Sequence, residues 1–258
     1  MSDILVQRPF NALAIVVINR PSRRNALNEA AWRDLGQVFT RLREDAALRA
    51  IILTGAGGAF CAGDDILAFA AVRDDPPARQ AYWDHIMACY AAVSAARVPV
   101  IAAVSGPSVG GGCTLALRCD FRIADRTARF GVPPAKLGLV YPADSTQLLV
   151  SATGIGMAKR MLYTGALIGA EEALACGLVT ELADDALAAA KAFAEPMLAS
   201  APLSIAAAKL ACDAAMAGRI SEVAEEVMEL SRRADSSEDY REGTRAFAEK
   251  RVPHFVGR

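Results

Sequence analysis

Residues 98 to 120 read VPVIAAVSGPSVGGGCTLALRCD, and this stretch decides the fold class. Val98 to Val104 is a short apolar run rich in β-branched residues, which predicts a buried strand. It passes directly into Ser105-Gly-Pro-Ser-Val-Gly110 and two further glycines, a tight turn. After Gly112 the apolar residues continue without a breaker, predicting a short helix that ends near Cys119 and Asp120. A strand at Phe121 to Ala124 follows. Strand, glycine turn, helix and strand in succession imply an α/β fold.

The same grammar extends in both directions. Toward the N-terminus, Leu13 to Asn19 predicts a strand closed by Arg20-Pro21. Asn28 then serves as a helix N-cap for Trp32, Leu35, Val38, Phe39 and Leu42, which recur at helical spacing. Arg49 to Thr54 predicts another strand, punctuated by Gly55-Ala-Gly-Gly-Ala-Phe-Cys-Ala-Gly63. Asp74 to Pro77 reads as a loop before a helix through Tyr82, Ile86 and Tyr90. From Met157 onward the pattern is helical and Ala-rich, with FGVP (130–133) and GLVTEL (177–182) as strand-like segments.

Composition bounds the function. The 258 residues carry 28 Lys plus Arg against 29 Asp plus Glu, a net charge of −1, so no basic footprint points to nucleic acid or to an anionic membrane. Hydrophobic residues make up 53%, enough for a large core, yet no apolar run approaches the length of a spanning helix. MSDILVQRPF lacks the pattern of a secretory signal, so a cytoplasmic enzyme is expected, with its six cysteines reduced. Only His85 and His254 are present, which argues against a histidine-rich metal site.

Three glycine features invite chemistry. Gly106-Pro-Ser108-Val-Gly110 satisfies the pattern of a nucleophile elbow, with His254 and Asp184 or Asp213 available to complete a triad, but a plain tight turn is the preferred reading because His254 sits in the basic stretch Lys250-Arg251-Val-Pro-His254, a poor platform for a triad base. Gly154-Ile-Gly156-Met-Ala-Lys159 is a poor dinucleotide fingerprint, because Lys159 replaces the third glycine. The remaining feature is a pair of turns, Ala59 to Ile66 and Gly110 to Gly112. Glycine lets a ligand approach main-chain N–H groups, and two such groups on one oxygen would form an oxyanion hole.

Asn19-Arg-Pro, Arg24-Asn-Ala-Leu-Asn28, Ala59-Phe-Cys-Ala-Gly-Asp-Asp-Ile66, Gly110-Gly-Gly-Cys113 and Cys119-Asp-Phe-Arg-Ile-Ala124 together resemble the enoyl-CoA hydratase/isomerase (crotonase) superfamily. The resemblance continues through Phe130-Gly, Leu137-Gly138, Thr164-Gly, Ala170-Glu-Glu-Ala173, Gly177-Leu-Val179 and Phe247-Ala-Glu-Lys250. It implies a crotonase (ClpP-like) spiral of ββα units over residues 1–195. A helical oligomerisation region over 196–258 would assemble homotrimers or hexamers. It further implies an acyl-CoA substrate that carries its own coenzyme A, with no metal and no other cofactor. By resemblance the oxyanion donors are the N–H groups of Asp64 and Gly111. Arg24, Ala26, Ala62, Asp65 and Ile66 would line the coenzyme A arm, with Phe247 and Lys250 reaching it from a neighbouring subunit.

The sequence departs from the hydratases of that family at both acid–base positions. Where they carry glutamates, Thr114 and Pro134 stand here, and neither exchanges a proton as a carboxylate does. Asp64, Tyr141 and Asp144 are the replacement candidates, against plainer readings as a solvated side chain, a packing residue and a helix cap. A double-bond isomerase needs one group that removes and returns a proton, and a decarboxylase needs a single proton delivery. Both therefore rank above hydration in an adapted site, above a non-catalytic acyl-CoA scaffold, and above a Ser108 hydrolase.

Overall fold

The computed structural model describes residues 2–258. Strands β1 (Ile4–Phe10) and β2 (Leu13–Ile18) form an antiparallel hairpin. Strands β3 (Ala50–Gly55), β4 (Val100–Val104), β6 (Phe121–Asp125) and β9 (Glu181–Ala183) join β2 in parallel, giving the order β1-β2-β3-β4-β6-β9. A second sheet contains β5 (Pro107–Val109), β7 (Arg129–Gly131) and β8 (Ile168–Gly169). The chain passes from the large sheet to the small one and then into a helix. It does so once through β4, β5 and α4 (Gly111–Leu117), and again through β6, β7 and α5 (Ala143–Thr164). These are successive ββα units.

The period of two along each central strand sorts its side chains between two cores. Leu13, Ile15, Val17, Ala50, Ile52, Ile101, Ala103 and Ile123 face α7 (Ala186–Leu198). Ala186, Ala190 and Ala194 recur every four residues on that helix, and their small side chains let it lie close to the sheet. Ala14, Val16, Ile18, Ile51, Leu53, Val100, Ala102 and Val104 face the other way, toward α1 (Glu29–Arg43), α3 (Pro76–Ser94) and α4. Trp32, Phe39, Tyr82 and Phe130 fill that larger core. The expected boundary at residues 195 and 196 falls inside α7.

The remaining helices are α2 (Ile66–Ala71), α6 (Ala170–Ala175), α8 (Pro202–Met216), α9 (Ile220–Asp235) and α10 (Glu238–Glu249). Lys209 on α8 binds Asp120 Oδ1 at 2.6 Å, while Asp120 Oδ2 accepts the Val100 N–H at 2.7 Å, so one carboxylate ties the helical arm to the start of β4. Exposed Ile220, Met228, Tyr240 and Phe247 lie on α9 and α10. No single helix among the described residues is long and apolar enough to cross a membrane.

Most predicted elements are present, with shifted ends. Asn28 caps α1, its side chain accepting from Ala31 N at 2.9 Å. The strand expected at 130–133 stops at Gly131, before the two prolines that lack a ladder N–H. The strand expected at 177–182 is confined to β9, and Leu178 and Val179 pack in the core. Helix α5 begins fourteen residues earlier than the pattern from Met157 suggests (157 − 143). Gly154, at φ 76° and ψ 158°, breaks it, so the apolar phase of its first half does not carry into the second. The weak dinucleotide motif is this kink and not a phosphate loop.

Asn25 secures the turn that leaves β3. It is fully buried, its Nδ2 donates to Ala56 O (2.9 Å) and Ala59 O (2.5 Å), and its Oδ1 accepts from Arg20 N (2.8 Å). Asn25→Ala strands those three groups, and we expect a loss of about 2–4 kcal/mol in denaturant unfolding; a loss below about 0.5 kcal/mol would show that the turn holds without it.

Candidate active site

Two backbone hydrogen bonds bring the glycine turns together: Cys61 N donates to Pro107 O (2.9 Å) and Val109 N to Cys61 O (3.1 Å). The approach is possible only without side chains. A Cβ on Gly112 would stand 2.0 Å from Cys61 O, and one on Gly63 (φ 97°) would stand 2.5 Å from Val109 O and 3.2 Å from Gly111 N. On the far side, Leu27 N donates to Gly63 O and Asp65 N to Leu27 O, both at 2.8 Å. Asp64 lies between those bonds, so its own N–H faces away from Leu27 and has no partner on another backbone group among the described residues. The Gly111 N–H opens α4 and likewise has no backbone acceptor among the described residues.

The Asp64 side chain turns inward. Its Oδ1 accepts from Trp32 Nε1 at 3.0 Å, and a Cβ on Gly111 would meet Asp64 Oδ2 at 3.1 Å, Tyr90 Oη at 3.1 Å and Trp32 Cζ2 at 3.0 Å. Trp32 and Tyr90 pack edge to face, centroids 5.5 Å apart, and Tyr90 Oη donates to Gly111 O at 3.3 Å. Burial raises the Asp64 pKa to about 6, against the opposing pull of the Trp32 N–H and of Asp64's own N–H. The Tyr90 hydroxyl is pushed well above its ordinary value by burial and by the Asp64 charge. Beside Gly111, Thr114 Oγ1 contacts Gly110 O at 3.2 Å and Tyr141 Oη at 2.7 Å. Burial also raises the Tyr141 pKa, so this phenol stays un-ionised.

The other sequence-selected residues divide by location. Ala62 N donates to Arg24 O at 3.0 Å, and Arg20 Nη1 donates to Ala26 O, so the segment around Arg24 borders the Asp64 turn. Asp65 caps α2 and pairs with Arg20 at 3.5 Å, while Ile66 is exposed. Phe247 and Lys250 are not brought to the turns within this chain; they stand exposed on and after α10, which packs against α9. Pro134 opens a short 3-10 turn. Asp144 is not a helix cap, a position held by Pro142; it is the second residue of α5 and binds Arg118 Nη2 at 2.5 Å. Burial alone would lift its carboxyl, but the Arg118 hydrogen bond and charge hold it below the ordinary carboxylate value, which makes it a weak base. Ser108 is fully buried inside β5 and its hydroxyl donates to Gly112 O, whereas His254 is tied through its backbone N to Glu242, so no triad assembles there. Sequence reasoning passed over Trp32 and Tyr90, whose positions on apolar helix faces hide their polar atoms.

The enoyl-CoA hydratase/isomerase family model matches residues 9–258. The chain belongs to that family. Among curated relatives, a crotonyl-CoA hydratase of Syntrophomonas wolfei is 35% identical over 95% of both chains. An (E)-benzylidenesuccinyl-CoA hydratase of Thauera aromatica is 34% identical over 96% of both. An enoyl-CoA hydratase structure from Bacillus anthracis superposes with a TM-score of 0.91, at 32% identity over the full length of both chains. The family's α/β fold and its acyl-CoA chemistry therefore apply here.

The half-buried Asp64 carboxyl makes stability depend on pH. With a folded pKa near 6 against about 3.8 unfolded, the folded state binds the proton more tightly. The resulting penalty is absent below about pH 4, grows between about 4 and 6, and is full above. Asp64→Asn keeps an acceptor for Trp32 and removes the charge, so its stability relative to the native chain should rise by up to about 2–3 kcal/mol from pH 4 to pH 8 in thermal unfolding. A difference independent of pH would contradict the raised carboxyl pKa.

Proposed function

We propose that the protein transforms an acyl-CoA thioester through an enolate whose oxygen is held by the N–H groups of Asp64 and Gly111. Two preorganised donors aimed at developing charge lower the barrier by about 3 kcal/mol each. The observation that carries the reading is the pair of N–H groups without a backbone acceptor among the described residues, on turns that are hydrogen-bonded to each other. Arg24, Ala26 and Ala62 to Ile66 would line the coenzyme A arm. Phe247 and Lys250 would complete it from a neighbouring subunit of a trimer or hexamer, an assembly for which the exposed apolar residues of α9 and α10 are suited. Coenzyme A arrives with the substrate, and no metal or second cofactor enters the chemistry.

The proton chemistry follows from which groups can exchange protons near neutral pH. Thr114 and Pro134 cannot, Tyr141 is neutral, and Asp144 is a weak base. Asp64, with its pKa near 6, is matched to accept and return a proton. This favours a double-bond shift. The carboxylate removes an α-proton from a 3-enoyl thioester, the dienolate oxygen rests on the two N–H groups, and the carboxyl returns the proton at the γ-carbon to give the 2-enoyl ester. Decarboxylation is the second reading, favoured by the neutral Tyr141 hydroxyl beside Thr114, which could protonate the enolate left when carbon dioxide departs.

Turnover of 3-enoyl-CoA, crotonyl-CoA and methylmalonyl-CoA, followed by mass spectrometry, separates the reactions. We expect the double-bond shift to dominate and to fall at least about 100-fold in Asp64→Asn, with Tyr141→Phe affected less than about 10-fold. Carbon dioxide release abolished by Tyr141→Phe would move the assignment to decarboxylation. Rapid hydration of crotonyl-CoA would overturn the single-carrier argument, and tight thioester binding with no turnover would indicate a scaffold.

A further inference from the structure

Arg118 follows α4 and stands one helical turn beyond Thr114, on the same face. Side chains on a helix lean toward its N-terminus, which directs the guanidinium back toward Thr114 and Tyr90. The contacts agree: Arg118 Cζ lies 5.3 Å from the centre of the Tyr90 ring, and that tyrosine's hydroxyl bonds Gly111 O. The side chain is only 10% exposed. Its Nη2 donates to Asp144 Oδ2 at 2.5 Å and to Ser145 Oγ at 3.0 Å, but its Nε is buried with no hydrogen-bond partner among the described residues.

That arrangement leaves a guanidinium half used. Nε–H and one Nη2 hydrogen project from the same edge, the fork that a carboxylate grips with both oxygens. Asp144 does not take that grip: it reaches Nη2 alone, remains about half exposed, and spends its other oxygen on Ser145 N at 2.6 Å. Buried donors are satisfied in the great majority of proteins, so an orphaned one on a cation beside a candidate site is a mark of a missing acceptor. Among the described residues no second acidic side chain is bonded to it.

We propose that Arg118 seats a second carboxylate at the far end of the acyl group, so that the site selects thioesters of short dicarboxylic acids. The proposal rests on the placement of the thioester at Gly111 and Thr114. From Gly111 to Arg118 the helix rises about 10 Å, and the side chain leans back by roughly half of that. The remaining span suits an acyl chain of about four to six carbons, at roughly 1.3 Å of advance per bond. Asp144 acts in this scheme as a counter-ion that keeps the guanidinium in place when the seat is empty, and its exposure lets it swing toward solvent as a substrate carboxylate enters.

Calorimetric binding of glutaryl-CoA and butyryl-CoA tests this without relying on turnover, because both are saturated and differ chiefly in the distal carboxylate. Glutaryl-CoA should bind about 10-fold or more tightly, and Arg118→Met should reduce that preference to near one while moving the butyryl-CoA affinity less than about 3-fold. Asp144→Asn should increase the preference. Equal affinity of the two esters in the native protein would overturn the carboxylate seat and leave the acyl-CoA reading standing; failure of both to bind would overturn the two together. The native comparison needs no variant, and Arg118→Lys, retaining charge without the fork, should keep only part of the preference.

Discussion

The structure depends on the closure of one turn onto another by the backbone of Cys61, which donates to Pro107 and accepts from Val109. Everything placed at the candidate site follows from those two bonds. They bring Gly63 against Val109, set Gly112 on the Cys61 carbonyl, and leave the N–H groups of Asp64 and Gly111 without backbone partners on adjoining segments. The closure needs support from behind, and Asn25 supplies it by bonding both ends of the segment from Ala56 to Ala59. Side chains at Gly63 or Gly112 would separate the turns, which is why glycine stands at both.

Closure also forces a conflict of polarity. It carries the Asp64 carboxyl into a region walled by Trp32 and Tyr90, where the charged form loses solvent, and one indole N–H together with Asp64's own N–H offsets only part of that loss. The groups facing this carboxyl are Trp32 from α1, Tyr90 and Tyr82 from α3, and Cys61 along the turn. No cation pairs with it among the described residues, and Arg20 is committed to Asp3 and Asp65. The carboxyl pKa is therefore pushed up to about 6 because the fold withholds compensation from it, a feature that suits proton exchange and costs stability.

Much of the fold was legible because its signals are local. Apolar strands followed by glycine turns and capped helices mark the large sheet and its helices, whereas the ββα units came only from the motif blocks in family order, because β5 lies inside the stretch that reads as a plain turn. The parts that escaped depend on tertiary context. Helix α2 is short and exposed, with only the Asp65 cap to announce it. Gly154 breaks the phase of α5 at a position where no steric neighbour demands a glycine. Asp144 reads as a cap from its position near a helix start, but its surroundings are set by Arg118, twenty-six residues earlier (144 − 118). The choice of Asp64 over Asp144 as proton carrier rests on burial and partners, neither of which is encoded in spacing.

The central claim is that the Asp64 and Gly111 N–H groups converge on one thioester oxygen. The most direct measurement is the backbone amide spectrum of isotopically labelled protein, titrated with butyryl-CoA and, separately, with coenzyme A bearing no acyl group. The account predicts that both amide protons move strongly downfield with the thioester and move little with the free thiol, since only the former carries a carbonyl acceptor. Movement of just one of the two, or equal movement with both ligands, would contradict it.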